Sequence, residues 1–236
     1  MHLAICLDDI NVVKRKINQG FNINQQDTQG SPLCIAAQRE NVEMLKTLLD
    51  LGAEVNLPVT SGEHGSALVA ACRGSKVSSL KALLLHGADV DMQLAHGEYG
   101  SALTAASGEG TVATSSSLLD AGASINMVVT SGHYGSALAA ASYMNEPDVV
   151  KLLIQRGAEV GLELENGKFP YALAAAISSK KLESVAALLE AGVDPNTPFS
   201  RGDYGDAISM AIQLKNRPLT RLLIKHGAAL HPLAAD

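Results

Sequence analysis

The chain has no tryptophan, and its five tyrosines and three phenylalanines make up only 3% of 236 residues. With 47% hydrophobic residues, the core has to be built from Ala, Leu, Val and Ile. That suits thin, close-packed helices better than a sandwich or barrel. Cysteine is scarce too: Cys6, Cys34 and Cys72 lie far apart, so no disulfide framework is expected and a reducing, intracellular and cytoplasmic setting is. No apolar run approaches the roughly 18 residues that a transmembrane helix needs. Asp8 and Asp9 interrupt any apolar leader, which argues against a signal peptide. There is no Asn-X-Ser/Thr sequon. Basic residues are outnumbered, 18 against 24 acidic, for a net charge of −6. No basic stripe is present, so neither nucleic acid nor a membrane is expected as a partner.

What the chain has in abundance is periodicity. Glycines recur every 35 residues at Gly52, Gly87, Gly122, Gly157, Gly192 and Gly227, with Gly20 a further 32 before Gly52. A second series runs Gly30, Gly65, Gly100, Gly135, Pro170, Gly205. Leu33, Leu68, Leu103, Leu138, Leu173 and Ile208 each precede their glycine by 19 residues, as Met1 precedes Gly20, so seven units share one internal spacing. Each unit reads as two short helices. The first opens at a capping serine (Ser31, Ser66, Ser101, Ser136) and runs through small residues such as Ala139-Ala140-Ala141. The second carries apolar residues at helical spacing, as in Val149-Val150-Leu152-Leu153, admits Pro147 in its first turn, and stops at the recurring Gly, which takes a left-handed C-terminal conformation without a Cβ penalty. His86 and His226 stand at the negative helix end. An extended stretch with a Gly-containing turn leads to the next serine.

Ser31-Pro32-Leu33-Cys34-Ile35-Ala36 and Gly52-Ala53-Glu54-Val55-Asn56 resemble the two signature stretches of the ankyrin repeat. The resemblance covers nearly the whole chain. It implies an all-α repeat solenoid of about seven helix pairs with β-hairpin-like fingers. The family period is about 33, so the longer units are expected to carry their extra residues in the finger. The variant Gly-x-Tyr-Gly-Ser-Ala-Leu, at residues 97–103 and 132–138, is similar to ankyrin arrays at the C-terminal end of fungal STAND/NACHT-type signalling proteins. One elongated domain spanning 1–236 is expected, with no internal linker. Met1-His2-Leu3-Ala4 matches the interior of a first helix whose capping Ser is missing, which reads as a start cut from a longer protein. The last unit is more polar, and 231–236 shows no further repeat, which reads as an end close to a natural one.

Catalysis has little support. Gly108-Glu109-Gly110 lacks the third glycine of a dinucleotide fingerprint, and there is no phosphate loop, His-Glu-x-x-His or Cys-x-x-Cys. The three cysteines read as small buried hydrophobes, and His2, at the motif histidine place, as structural. No catalytic residue, metal or cofactor is assigned. A Ser/His/Asp set drawn from distant residues stays open, but an open solenoid offers no deep dry pocket for one.

Two candidate binding surfaces stand out. At the fingers, His64, Tyr99, Tyr134, Phe169 and Tyr204 recur every 35 residues. They either pack on the neighbouring finger or form an aromatic ledge for a partner. On the concave face, the positions after each Ala pair are Gln38, Arg39, Arg73, Glu109, Tyr143, Met144, Ser178, Ser179, Gln213 and Leu214. Of these, Arg39, Arg73, Glu109, Tyr143 and Met144 are the candidates: Tyr143-Met144 as an adaptable contact, Arg39 and Arg73 as partners of acidic groups. The fifth finger, Glu163 to Pro170, departs from the pattern through either drift or tuning. Asn24, Asn56, Asn126 and Asn196 match the asparagine that hydroxylases modify in some ankyrin proteins, or else make structural turn hydrogen bonds. The function expected is non-catalytic binding of a protein partner by an array that is monomeric in isolation, as the sensor or interaction end of a larger signalling protein. A brace within a multidomain parent, an engineered scaffold and an enzyme are the alternatives.

Overall fold

The computed structural model describes residues 2–60, 64–109 and 111–230. Met1, the side chain of His2, Gly110 and the tail 231–236 lie outside the described residues, and with them the readings made of those positions. Among the described residues are fourteen helices in seven antiparallel pairs. They are α1 (His2–Cys6) with α2 (Ile10–Asn18), α3 (Pro32–Gln38) with α4 (Val42–Asp50), α5 (Ala67–Arg73) with α6 (Val77–Leu85), and α7 (Ala102–Gly108) with α8 (Val112–Asp120). The last three pairs are α9 (Ala137–Met144) with α10 (Pro147–Gln155), α11 (Ala172–Ser178) with α12 (Leu182–Glu190), and α13 (Ala207–Gln213) with α14 (Arg217–Lys225). Each first helix packs on the first helices before and after it, and the second helices stack likewise from α4 onwards. The repeat solenoid expected from the periodicity is the fold.

The local chemistry sets these boundaries. Ser31, Ser66, Ser101 and Ser136 each accept the backbone N–H three residues on, as N-cap oxygens do. Asp206 caps α13 in the same way, whereas α11 begins at Tyr171 with no side-chain cap. At the other end, Gly87 and Gly122 sit at φ +81° and +92°, the left-handed region that lets the last helical carbonyls be satisfied. His86 Nδ1 adds a hydrogen bond to the Ala82 carbonyl at 2.8 Å, and His226 Nδ1 one to Leu222 at 3.0 Å.

The alanines of the first helices explain how the stack closes without aromatic bulk. Ala36, Ala37, Ala70, Ala71, Ala105, Ala106, Ala140, Ala141, Ala175 and Ala176 are all fully buried, so backbones approach closely and each van der Waals contact is gained at short range. Leu45, Leu48, Leu80, Leu83, Leu118, Leu153 and Leu188 from the second helices fill the layer between pairs.

Among the described residues the fingers are loops rather than strands, the first closed by a pair of backbone hydrogen bonds and each later one by a single bond. The one ladder pairing among the described residues is the isolated bridge Asp27–Gly30. The later fingers close through Val59 N to Gly65 O, Leu94 N to Gly100 O, Val129 N to Gly135 O, Leu164 N to Pro170 O and Phe199 N to Gly205 O. Pro170 serves here because only its carbonyl is needed. The difference between the 32- and 35-residue periods lies wholly in this loop: the first finger spans Asp27 to Gly30, the second Val59 to Gly65.

A second periodic device ties each unit to the next. Asn56 Oδ1 accepts from Asp89 N at 2.8 Å while its Nδ2 donates to Gly87 O at 3.1 Å. Asn126 does the same to Glu159 N and Gly157 O, Asn196 to Ala229 N and Gly227 O, and Asp91 accepts from the backbone and hydroxyl of Ser124. Asn24 meets Glu54 through both its amide groups. The asparagines thus have a structural role, but as a tie to the next unit rather than as the turn hydrogen bond weighed from the sequence. In the fifth unit the same position is Gly161, and the staple to the sixth is missing. A Cβ at Gly161 would meet nothing within 4 Å, and its φ is not in the left-handed region. Gly161→Asn is therefore expected to restore the bonds to Gly192 O and Asp194 N. The gain is about 1 kcal/mol from hydrogen bonding, with roughly another 0.5 from reduced freedom of the unfolded chain. Thermal unfolding followed by circular dichroism should show a rise in Tm of about 3–5 °C.

Candidate functional site

The aromatic finger series and the concave-face residues, read from the sequence as two surfaces, meet in one structure. The Tyr99 and Tyr134 rings lie back over the end of the first helix that each finger leads into, at Gly108 and Met144, while the Phe169 ring packs on Tyr143 of the preceding first helix. Tyr99, Tyr134 and Phe169 are buried, at 3–4% exposure. The Tyr99 and Tyr134 rings stack with centroids 5.5 Å apart. Tyr143, at the end of α9, enters the same line, 5.6 Å from Tyr134 and 5.2 Å from Phe169. Offset stacked and tilted pairs at such distances are favourable beyond their burial. A cation stands at each end of the line: Arg73 Cζ lies 5.6 Å from the Tyr99 centroid, and Lys168 Nζ lies 5.5 Å from Phe169 and 5.9 Å from Tyr143.

Room for this line comes at one position in the last turn of the first helices. Arg73, Gly108 and Tyr143 are one period apart. A Cβ on Gly108 would stand 2.6 Å from the Tyr99 ring, so glycine here is a seat for tyrosine. Polar contacts then fix the ring edges. Tyr99 donates its hydroxyl to Glu109 Oε1 at 3.1 Å, and Tyr134 donates to Glu98 Oε1 at 3.2 Å. Arg73 Nε donates to Glu109 Oε1 at 3.2 Å, and its terminal nitrogen lies 3.7 Å from Glu98 Oε2. Burial, followed by the adjacent Glu109 and Glu98 carboxylates, pushes the Tyr99 phenol above its ordinary pKa; burial and then Glu98 do the same for Tyr134.

The fingers themselves are zipped by backbone. His133 N donates to Glu98 O at 2.9 Å, and Lys168 N to His133 O at 2.8 Å. A Cβ on Gly132 would meet the Glu98 carbonyl at 2.6 Å, and one on Gly135 the Asn166 carbonyl at 2.5 Å, so glycine is required for this approach as well as for the positive φ. Beside the zipped fingers opens a cleft of about 460 Å³ lined by Glu98, His133, Tyr134, Tyr143, Met144, Lys168 and Phe169. His133, Met144 and Lys168 are its exposed groups, with Met144 at 40%. The Met144 sulfur also takes a weak contact from the Tyr134 hydroxyl at 3.7 Å. A smaller hollow lined by Arg73, Gly97, Glu98 and His133 continues it.

The remaining candidates lie apart from this cleft. His64 and Tyr204 are half-buried, and the ring contacts among the described residues do not extend to Tyr204. Arg39 is exposed, with a guanidinium nitrogen 3.4 Å from the Cys6 carbonyl. Cys34 and Cys72 are buried, and burial raises both thiols above their ordinary pKa, which keeps them protonated and unreactive near neutral pH. Among the described residues no group of three His, Cys, Asp or Glu side chains is placed to hold a metal ion, and no helix is long and apolar enough to cross a membrane.

Sequence reasoning passed over Glu98, His133 and Lys168, which precede the ring in successive fingers. A signal was available: Glu63, Glu98, His133, Lys168 and Asp203 change charge from unit to unit beside a nearly constant aromatic. It also missed Arg201, which reaches back to the fifth finger. There Nη1 donates to Gly167 O at 3.0 Å, and Nη2 approaches the carbonyls of Leu164, Asn166 and Phe169 at 2.6, 3.1 and 3.0 Å.

A family model described as ankyrin repeats (3 copies) matches residues 1–94, 68–163 and 138–233. No curated protein matches the chain. Among solved structures, the human ASB11 ankyrin repeat domain superposes with a TM-score of 0.78 at 24% identity, covering 98% of each chain. The ankyrin repeat domain of Bcl-3, described as a unique member of the IkappaB protein family, superposes with a TM-score of 0.71 at 25% identity, covering 94% of this chain and 96% of its own.

Proposed function

The chain belongs to the ankyrin-repeat family, whose members are generally protein-interaction modules, and we propose that it is a non-catalytic module whose protein partner seats on the cleft beside the third to fifth fingers. The observation that supports this reading is the contrast within one feature. The line of rings is buried and pinned at its edges, while His133, Met144 and Lys168 project from the same rigid base with no ion pair among the described residues. Groups held at fixed spacing on a packed support lose little conformational entropy on binding. Methionine adapts its shape to an apolar side chain, and Lys168 offers a charge to an acidic one. In this reading Tyr99, Tyr134, Phe169, Tyr143, Arg73 and Glu109 shape the cleft from within, and Arg39, His64 and Tyr204 widen the surface.

The double change Met144→Glu with Lys168→Glu tests the reading. Capture of protein from a lysate of the source cells on immobilised chain is expected to fall at least about tenfold, with Tm lowered by no more than about 4 °C through loss of the Lys168 contacts with Phe169 and Tyr143. Equal capture would overturn the assignment. The finger sequence Gly-x-Tyr-Gly-Ser-Ala-Leu further supports reading the array as the interaction end of a larger signalling protein of the STAND/NACHT type. A nucleotide-binding domain encoded in the same frame would support that, and a different neighbouring domain would count against it.

A further inference from the structure

We infer that the outer face of the seventh helix pair is a second docking site, distinct from the finger cleft, for an acidic peptide segment carrying an apolar anchor. The face holds a cavity of about 480 Å³ lined by Ile212, Lys215, Asn216, Arg217, Thr220 and Arg221. Three cations converge on it and no carboxylate lines it. None of the three makes an ion pair or side-chain hydrogen bond among the described residues. This is a local reversal of sign. Residues 206–230 carry Lys215, Arg217, Arg221 and Lys225 against Asp206 alone, in a chain of net charge −6. Arg217 also breaks a pattern, since the first residue of the second helix is Ile10, Val42, Val77, Val112, Pro147 and Leu182 in the other units.

The floor is apolar for a structural reason. Ile212 and Thr220 are one period on from Ile177 and Val185, which are fully buried within the stack, yet Ile212 is 37% exposed. The face therefore keeps an apolar centre and gains a cationic rim, the arrangement of a recognition surface with a buried anchor and polar surround. The geometry favours an extended segment over a small free anion. Asn216 Oδ1 already takes the Leu219 N–H at 3.2 Å, and Pro218 has no N–H, so the start of α14 offers little backbone cradle. The positive charge resides on three separate long side chains, which suit carboxylates spaced along a chain and, for the arginines, bidentate pairing.

The test uses the whole chain and a labelled synthetic peptide of about ten residues with alternating Glu around a central Leu, titrated by fluorescence anisotropy in about 0.05 M and 0.3 M salt. We expect saturable binding that weakens with salt and falls at least about tenfold in the triple variant Lys215→Met, Arg217→Met, Arg221→Met, corresponding to three exposed charge pairs removed. The same peptide with Gln for Glu, or Ser for Leu, should bind at least about tenfold more weakly. Far-ultraviolet circular dichroism and the single variant Arg217→Glu guard against a folding artefact. The Met144→Glu, Lys168→Glu form should bind the peptide unchanged, so failure of the finger cleft and failure of this face remain separate results. The inference is overturned by equal binding of the Gln peptide, by no loss in the cation variants, by competition from inorganic phosphate at peptide-like concentrations, or by equal uptake of single-stranded DNA or anionic vesicles.

Discussion

Tyr134→Ala is expected to produce the largest loss of stability of any single change in the fingers. The ring is 4% exposed, lies between Tyr99 and Tyr143, and donates its hydroxyl to Glu98. Truncating a buried aromatic costs about 3–5 kcal/mol, and this one also abandons three ring contacts, with Tyr99, His133 and Tyr143, and a charged acceptor. For a chain of this length, Tm should fall by about 8–15 °C. Because units of a solenoid are stabilised mainly by their neighbours, the denaturant transition should broaden as well as shift, as the array loses coupling at its middle. Phenylalanine at the same position keeps the stack and should restore most of the loss. An unchanged Tm in the alanine form would show that the ring contributes nothing to holding the finger. The raised phenol pKa values carry a second expectation. A group whose pKa is higher in the folded than in the unfolded chain contributes stability in full below the unfolded value, near 10, and loses it as pH rises further. Stability should therefore decline above about pH 10, and tyrosinate absorbance should show Tyr99 and Tyr134 ionising only with unfolding.

Arg201→Ala is the second large effect. One guanidinium gathers four carbonyls of the fifth finger, from Leu164, Asn166, Gly167 and Phe169. This is the finger whose pattern departs from the others, and it stands at the seam where Gly161 leaves no staple. Ser131 does a lesser form of the same job two units earlier, donating its hydroxyl to the Leu94 carbonyl. Removing the fork should cost about 2–3 kcal/mol, lowering Tm by about 4–10 °C. The loss should be localised, with amides of residues 164–170 exchanging hydrogen faster while those of α3 to α6 keep their protection. Arg201→Lys retains the charge but not the planar fork, and should recover less than half. Uniform exchange across the chain would show that the arginine does not hold this finger.

These two residues mark where sequence reasoning succeeds and stops. Periodicity exposed the helix pairs because a serine oxygen and a left-handed glycine act within three or four residues of themselves, and their chemistry is visible at that range. The aromatic series was legible as a row for the same reason. Its union with Tyr143 was not, because that contact depends on how a finger folds back over the helix it leads into. Arg73 and Glu109, read as separate surface groups, turn out to be a pair bound to Tyr99. Arg201 occupies the counterpart of Ser61, His96, Ser131 and Asn166, a position with no constant chemistry to give it away. The exposed Lys168 and Met144 needed coordinates to show which side of a residue faces outward.

The staples and finger contacts have a consequence for how such an array changes in size. Among the described residues, every side-chain hydrogen bond between units joins residues no more than 40 positions apart, so each module meets the adjoining one. Recombination that excises or duplicates one 35-residue segment between equivalent glycines would leave the new neighbours meeting through the same kinds of bond. Lengthening or shortening the array by whole modules is thus an inherited option of the architecture, whereas a deletion of any other length would misalign every junction downstream of it.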